Sequence, residues 1–341
     1  MAADERALGP VAVLDVAGVP IALFAADDLR ADIGRRALAA FPPSAGVPVG
    51  MLVIDGEHRC APEATHHDER HGVRFWSDAN TAMVVSGSVV VSVQGEALTA
   101  SVPDLTDEDR AEGAIVAMLA WLLAPHGRYL VHGAAVSWGT DGLLVLGHTG
   151  AGKSTLIAAA LEHGWRALAD DLVIVAADGE AVRVVGVNRH PAIPTEIGGP
   201  VVARGRPVPG PRRRAELPSD VLSEGSADVR GVVLLAHARS PGGELRRGDR
   251  GRMLTLLLQS FPATGDLAWR TSFLGLTARL QALPVWELAL AADVARRRHD
   301  AGVALEQCRR DWEEWGRTLA GVEPGLRRDE SARGSGRDRR P

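Results

Sequence analysis

Apolar and polar residues alternate along much of the first hundred positions, a pattern typical of strands that bury one face. The dipeptides Ala17-Gly18 and Ser86-Gly87 interrupt this alternation, and both favour hairpin turns. The predicted elements are the strands 11–16, 19–24, 51–55 and 73–76, the hairpin 82–93 and the helix 27–40. We therefore expect a separate amino-terminal α/β domain over residues 1–104.

The pattern then changes to helical spacing after Thr106, a possible N-cap that precedes an acidic first turn. Two apolar strands follow, joined by a glycine-rich turn at 139–142. Asp178-Gly179 marks another hairpin, and Gly164 is a plausible helix C-cap. The predicted strands are 129–138, 143–146, 172–175, 181–187, 232–236 and 284–288, and the helices are 154–161, 253–261, 266–280 and 303–319. These elements predict a second α/β domain over residues 105–322 with a helical carboxyl-terminal part.

Two segments lack such periodicity. Residues 188–226 are rich in Pro, Gly and Arg, which predicts long loops that are mobile until a ligand binds. The run Arg212-Arg213-Arg214 within it fits either a solvated patch or a contact to an anion or acceptor. The arginine-rich tail, 323–341, is predicted to be disordered.

Composition narrows the class of protein. The net charge of −5 argues against nucleic acid and against an anionic membrane as partners. Two cysteines do not support a disulfide framework, and the longest apolar run, 114–124, is too short to cross a membrane. The charged start, Met-Ala-Ala-Asp-Glu-Arg, does not resemble a secretory signal, so we expect a cytoplasmic protein.

The segment 143–155 carries the clearest chemical signal. Gly147, Gly152, Lys153 and Ser154 fit the P-loop pattern G-x-x-x-x-G-K-[ST], placed between a predicted strand and a predicted helix. In such a turn backbone N–H groups bind phosphate oxygens, the lysine reaches the outer phosphates and the hydroxyl holds Mg²⁺. The candidate nucleotide-binding residues are Gly147, His148, Thr149, Gly150, Ala151, Gly152, Lys153, Ser154 and Thr155.

Lys153 is also the only lysine in the chain, and the other 37 basic Lys/Arg positions are arginine. An ammonium is a compact point charge, whereas guanidinium is a wide planar fork. A phosphate cradle is a site where that difference matters, which strengthens the assignment of Lys153.

The adjacent carboxylates Asp170 and Asp171 indicate a chemical step beyond nucleotide binding. One carboxylate can coordinate Mg²⁺ and the other can take the proton of an acceptor hydroxyl, so the candidate metal ligands are Ser154, Asp170 and Asp171. Two exposed aspartates at a strand start are the alternative. His132, in the strand before the P-loop strand, either orients one of these carboxylates or is a buried core histidine.

A second polar cluster lies in 58–71. Imidazole and thiolate groups can bind a transition metal, but their spacing fits no established zinc pattern. A solvated loop is therefore favoured over a metal site. The residues concerned are Cys60, His66, His67, Asp68, Glu69 and His71.

The order of motifs resembles the HPr kinase/phosphorylase family over residues 125–290. That family shows a His-Gly pair, a P-loop, Ala-Asp-Asp and then Glu-Ile-Arg-Gly. Here the corresponding segments are His132-Gly133, the turn ending at Lys153-Ser154, Ala169-Asp170-Asp171 and Asp228-Val229-Arg230-Gly231. The resemblance implies a P-loop kinase domain of the HPr kinase type that uses ATP and Mg²⁺. The catalytic residues it implies are Asp171, Asp170, His132, Arg230 and Lys153, with Arg230 near the transferred phosphoryl group.

This sequence departs from the family at several points. Asp228 replaces the glutamate, Val232-Val233-Leu234 replaces Leu-Gly-Ile, and the amino-terminal half does not match the family's regulatory domain. The acceptor is therefore open: a Ser or Thr of a peptide or small protein is favoured, and a small alcohol is the alternative. A non-catalytic ATP-binding switch or assembly module is a hypothesis of a different class. Relatives of this type form homo-oligomers, which is a further expectation for this chain.

Overall fold

The computed structural model describes residues 10–57, 68–70, 73–77, 81–187, 191–208, 213–223, 225–237, 244–259, 267–291 and 293–321. Within these residues the fold is mixed α/β, with three sheets and seven α-helices. The helices are α1 (Asp28–Ala37), α2 (Glu108–Leu123), α3 (Lys153–Glu162), α4 (Pro200–Ala203), α5 (Arg250–Gln259), α6 (Leu267–Ala282) and α7 (Val294–Gly321).

The strands are β1 (Ala12–Val16), β2 (Val19–Ala25), β3 (Gly50–Asp55), β4 (Asp68–Arg70), β5 (Val73–Ser77), β6 (Thr81–Ser86), β7 (Val89–Gln94), β8 (Ala97–Ser101), β9 (Arg128–Trp138), β10 (Asp141–Leu146), β11 (Arg166–Ala169), β12 (Leu172–Asp178), β13 (Ala181–Gly186), β14 (Ala192–Pro194), β15 (Arg206–Val208), β16 (Arg214–Glu216), β17 (Ser226–His237), β18 (Glu244–Arg247) and β19 (Val285–Leu290). Short 3₁₀ helices occur at Leu105–Asp107, Ala124–His126, Thr195–Ile197 and Ser219–Val221. Most of these elements were predicted from periodicity. Strands β4, β8 and β18 were not, because each is short and flanked by polar residues.

The amino-terminal half forms an eight-stranded sheet in the order β1-β2-β3-β8-β7-β6-β5-β4. Its core includes α1 and α2, whose apolar side chains pack against the sheet: Ile33 on α1, and Ile115 and Leu119 on α2. The domain boundary at residue 104 stays a prediction. Helix α2 lies beyond that boundary, and it packs on β6, β7 and β8 of this sheet and also on β9. Helical spacing defines an apolar face and does not say which sheet covers it.

The second sheet has the order β10-β9-β12-β13-β17-β19-β18, and β11 pairs with β9. Because β17 also pairs in parallel with β10, strands β10, β9, β12, β13 and β17 form a closed circuit of hydrogen-bonded neighbours. β10 lies at the centre of the fold, with Leu143, Leu144 and Val145 fully buried. It ends at Leu146, where the glycine-rich turn begins. These strand pairings thus fix the position of β10, the strand that leads into the glycine-rich turn.

The segment predicted as long loops is instead folded. Strands β14, β16 and β15 form a three-stranded sheet, and α4 lies between β14 and β15 in the chain. Ile193, Val202 and Leu217 are buried in the same cluster as Leu156 and Ile157 of α3. Composition predicted loops because Pro and Gly are frequent here, but the scattered apolar residues are covered by α3. Residues 188–190, 209–212 and 224 lie outside the described residues.

The carboxyl-terminal helices are longer than predicted or differently bounded. Helix α7 begins at Val294, nine residues before the predicted start at residue 303, because its first turns carry the polar run Arg296-Arg297-Arg298-His299-Asp300. The tail 323–341 and four of the candidate metal ligands in 58–71 (Cys60, His66, His67 and His71) lie outside the described residues. Among the helices that the structure does describe, none has the length and apolar character needed to span a membrane.

Candidate functional site

The glycine-rich turn connects β10 to α3, as predicted, and its glycines are required by geometry. Gly152 has φ +104°, and a Cβ there would lie 2.5 Å from Leu290 Cδ1. A Cβ on Gly147 would lie 3.0 Å from Leu235 Cβ. His148, Thr149 and Gly150 are exposed, whereas Ala151 and Thr155 are buried. The turn therefore offers its outer backbone to solvent directly in front of the amino terminus of α3.

Lys153, the first residue of α3, points its ammonium group back across the turn. Its Nζ donates to Gly147 O at 2.9 Å and lies 3.0 Å from His132 Nε2. Only 7% of the residue is exposed, and this burial lowers the pKa of the lysine, while the charges of Asp171 and Asp170 oppose the shift. An ammonium held in this way is poorly solvated, which favours its binding to an anion.

His132 links Lys153 to Asp171. Its Nδ1 lies 3.3 Å from Asp171 Oδ1, on the opposite side of the ring from the lysine. Burial, and after it the charge of Lys153, lowers the pKa of His132. We assign the neutral tautomer from this network, with Nε2 accepting from Lys153 and Nδ1–H donating to Asp171. The pairing of His132 with Leu172 in the β9–β12 ladder brings the histidine to the carboxylate pair.

The backbone at Asp171 is strained. Its φ of +77° lies in the left-handed region, and Leu172 N donates to Asp170 O across it at 3.1 Å. The carbonyl of Asp171 accepts from Gly133 N at 3.0 Å. A Cβ on Gly133 would lie 2.9 Å from Val145 O, so the His-Gly pair also needs its glycine. This conformation turns the Asp171 side chain outward, and that side chain is 65% exposed.

The side chain of Asp170, in contrast to that of Asp171, points inward and is buried. Its two carboxylate oxygens accept from Ser154 Oγ at 3.2 and 3.0 Å, and Arg214 Nη2 lies 3.4 Å from Oδ2. Burial raises the pKa of Asp170, and the charge of Asp171 raises it further, whereas the Ser154 hydrogen bond lowers it. The ionised carboxylate is thus destabilised and gains from a nearby cation.

The residues present fit a Mg²⁺ ion of the kind that is held jointly by protein and phosphate. Mg²⁺ prefers oxygen ligands and usually takes one or two from the protein. Ser154 and Asp170 supply a hydroxyl and a carboxylate side by side at the start of α3. In the part of the chain that the structure describes, no group of three or more His, Cys, Asp or Glu side chains forms a metal cage.

Arg230 does not join this group, contrary to expectation. In the parallel β10–β17 ladder Asp228 pairs with Asp141, at the start of β10, whereas the turn follows its end. Arg230 Nε donates to Asp141 Oδ1 at 2.6 Å, and its Nη2 lies 3.6 Å from Asp228 Oδ2. The length of β10 places it about 16 Å from the turn. The prediction failed because the register of a parallel pair is set by contacts distant in the chain.

Arg214 is the residue whose role at the site was left undecided. It is the last member of the arginine run, for which a solvated patch and an anion contact were both open. The structure brings its guanidinium to Asp170, while the Arg213 side chain is exposed and has no partner among the described residues. Strand periodicity contains the signal, since adjacent residues of β16 face opposite ways.

Comparisons with known proteins add little to this geometry. No family model matches the chain, and no curated protein sequence matches it. Among solved structures, the HPr(Ser) kinase/phosphatase from Coxiella burnetii is similar at 12% identity and a TM-score of 0.31, over 57% of this chain and 98% of that one. This likeness is distant and carries no argument about activity. Any functional conclusion therefore rests on the site itself.

Burial disfavours the ionised form of Asp170, and this leads to a prediction about the free energy of unfolding. Because its pKa is raised in the folded state, its ionisation costs stability above that pKa, and the cost disappears as the pH falls through it. We expect Asp170→Asn to increase the free energy of unfolding at pH 7 by about 1 kcal/mol and to flatten its dependence on pH. Urea unfolding between pH 5 and 8 measures both effects.

The matched control is Asp220→Asn, since Asp220 is exposed and pairs with Arg204 at 3.2 Å. Its stability should stay within about 0.5 kcal/mol of wild type at every pH. An Asp170→Asn protein that is less stable than wild type at pH 7 would show that the carboxylate is structural rather than held for a cation.

Proposed function

We propose that this chain is a kinase that transfers the γ-phosphoryl group of ATP to a hydroxyl, on a serine or threonine of a peptide or small protein. The observation that carries the proposal is the grouping of five polar side chains around one helix start: Lys153, Ser154, His132, Asp170 and Asp171. These groups supply a cation for phosphates, ligands for a metal ion and a base for a hydroxyl. Phosphoryl transfer needs these three.

Lys153 and the turn bind the nucleotide in this proposal. The backbone N–H groups of the turn and of the first α3 residues surround the phosphates, and the ammonium contacts the outer phosphate oxygens. Ser154 and Asp170 would hold Mg²⁺. When bound, Mg²⁺ neutralises part of the negative charge on the phosphates. Lys153 exchanges its neutral partners, Gly147 O and His132 Nε2, for charged ones, which compensates for its burial.

Asp171 is the base. Its carboxylate accepts the proton of the acceptor hydroxyl as the hydroxyl oxygen forms a bond to the γ phosphorus. The bond from that phosphorus to the bridging oxygen breaks, and ADP leaves with the bonding electron pair. His132 positions this base by donating Nδ1–H to Asp171 Oδ1. Because the histidine stays neutral, it does not hold the carboxylate in a tight ion pair, and the carboxylate remains available for a proton.

The exposure of Asp171 supports a peptide or protein acceptor. Sites for small molecules usually enclose most of the ligand surface. Here the candidate base is 65% exposed and lies outside the turn, where a side chain of a larger molecule can reach it. A small alcohol is the alternative acceptor, and the exposure of Asp171 favours it less.

The test is transfer of label from γ-labelled ATP, with Mg²⁺, to three separate acceptor pools: peptides rich in Ser and Thr, small proteins, and small alcohols. We expect label in the peptide or protein pool, in ester linkage to Ser or Thr. Label only in the alcohols would change the acceptor class. Binding of ATP without label in any pool would instead support the non-catalytic switch.

A further inference from the structure

The carboxylate of Asp170 already has a cationic neighbour from another part of the fold. Arg214 Nη2 lies 3.4 Å from Asp170 Oδ2, and the Asp170 side chain is only 4% exposed. The arginine is 44 residues away in sequence, on strand β16 of the three-stranded sheet. This contact connects that sheet to the carboxylate pair.

The three-stranded sheet fixes the backbone of Arg214 beside the site. Its backbone pairs with Pro194 on one side and Val208 on the other. Its guanidinium donates to Ala192 O through Nε, at 2.8 Å, and also through Nη2. The neighbouring Ala215 is buried against the α3 core. The guanidinium is thus held on one side by Ala192 O, while 40% of the side chain remains exposed.

The proposed Mg²⁺ ion and Arg214 compete for the same carboxylate. Asp170 is the buried oxygen donor beside Ser154, and a divalent ion held there places positive charge where the guanidinium now lies. The ion pair between Arg214 and Asp170 is a single, long contact, and a divalent ion replaces its positive charge beside the buried carboxylate. A metal ion with its phosphates therefore displaces it at small cost.

We propose that Arg214 is an internal cation that caps Asp170 until a divalent ion binds, and that its exposed guanidinium then contacts the phosphoryl group being transferred. This inference rests on the proposed function. The planar guanidinium can form two hydrogen bonds to neighbouring phosphoryl oxygens, which a lysine at the same place does not reproduce. The same residue thus balances the charge of the empty site and of the loaded one.

The proposal predicts that one substitution moves two measurements in opposite directions. In Arg214→Gln, Mn²⁺ added without nucleotide should bind about threefold to tenfold more tightly than to wild type, because its competitor is absent. Phosphoryl transfer by the same variant should fall about 100-fold in kcat, because the loaded site lacks the guanidinium. Mn²⁺ binding is followed by electron paramagnetic resonance, and transfer by the labelled-ATP assay.

Arg213→Gln is the matched control. It removes the same charge one residue away, from a side chain that is exposed and without a partner among the described residues. Both measurements should match wild type. Arg214→Lys keeps the positive charge but lacks the planar guanidinium. It should therefore bind Mn²⁺ nearly as tightly as wild type does, while phosphoryl transfer stays low. Equal urea midpoints for the Gln variants would show that the fold is intact.

Weaker or unchanged Mn²⁺ binding in Arg214→Gln would overturn the capping role. Tighter binding with unchanged transfer would overturn the contact to the phosphoryl group. The metal titration uses neither nucleotide nor acceptor, so it is independent of the proposed kinase activity. If wild type labels no acceptor, the proposed function and the phosphoryl contact fail together, whereas tighter Mn²⁺ binding would still support the cap.

Discussion

We expect phosphoryl transfer to fall by at least about 1,000-fold in kcat when Lys153 is replaced by methionine. The ammonium lies beside the turn, with Gly147 O at 2.9 Å and His132 Nε2 at 3.0 Å. Methionine keeps an unbranched side chain that is one atom shorter, and it removes the charge. Because burial already lowers the pKa of Lys153, we expect the variant to be at least as stable as wild type. Steady-state transfer and urea unfolding measure these effects.

Lys153→Arg is the informative companion variant. It keeps the positive charge, but the wider guanidinium does not fit between a carbonyl and an imidazole that lie 2.9 and 3.0 Å from one ammonium. We expect a loss of transfer comparable to that of the methionine variant. Normal transfer in the methionine variant would show that Lys153 does not contact the reacting phosphate, and normal transfer in the arginine variant would show that a compact ammonium is not required.

The second large effect is expected at Asp171. Asp171→Asn should lower kcat by about 1,000-fold while the affinity for ATP changes by less than about threefold, because the carboxylate acts on the acceptor proton and not on the nucleotide. Asparagine is suited to this position, since it tolerates the φ of +77°. Transfer kinetics and equilibrium binding of a fluorescent ATP analogue separate the two quantities.

Asp171→Gly controls for the backbone. Glycine removes the same carboxylate and relieves the positive φ, so its loss of kcat should equal that of asparagine while its stability is equal to or above wild type. If both variants lose ATP affinity as strongly as kcat, Asp171 helps to hold the nucleotide and its assignment as the base is wrong.

The elements that carry the site were predictable from local sequence. The apolar run 143–146, the spacing of Gly147 and Gly152, and the helix after Lys153 are all local signals, and the structure places β10, the turn and α3 at these positions. The position of His132 beside the site also follows from local sequence, because β9 and β10 are antiparallel neighbours joined by a short connection. Neighbouring strands joined by a tight turn leave little freedom of register.

The errors concern contacts between distant segments. Arg230 was expected at the phosphates, but the β10–β17 register places it at the other end of β10. Helix α2 lies in the predicted second domain, and the sequence did not show that its apolar face also packs on the first sheet. In both cases the local pattern was correct, and the missing information was which distant strand or sheet lies beside it.

Arg214 illustrates the same limit at the site itself. The run Arg212-Arg213-Arg214 gives no indication which arginine turns inward, because its surroundings suggested a loop. Ile193, Ala215 and Leu217 pack on α3, and the segment forms a sheet. Side chains alternate along β16, and that of Arg214 points toward Asp170. The charge of a residue is visible in sequence, whereas its partner depends on packing.

The most direct test of the central claim is a crystal structure of the chain with Mg²⁺ and a non-hydrolysable ATP analogue. The account predicts Lys153 Nζ within about 3 Å of a γ-phosphate oxygen, Ser154 and Asp170 at the metal ion, and the Asp171 carboxylate facing the γ phosphorus. Phosphates bound away from the turn, or an Asp171 side chain directed away from the γ phosphorus, would contradict it.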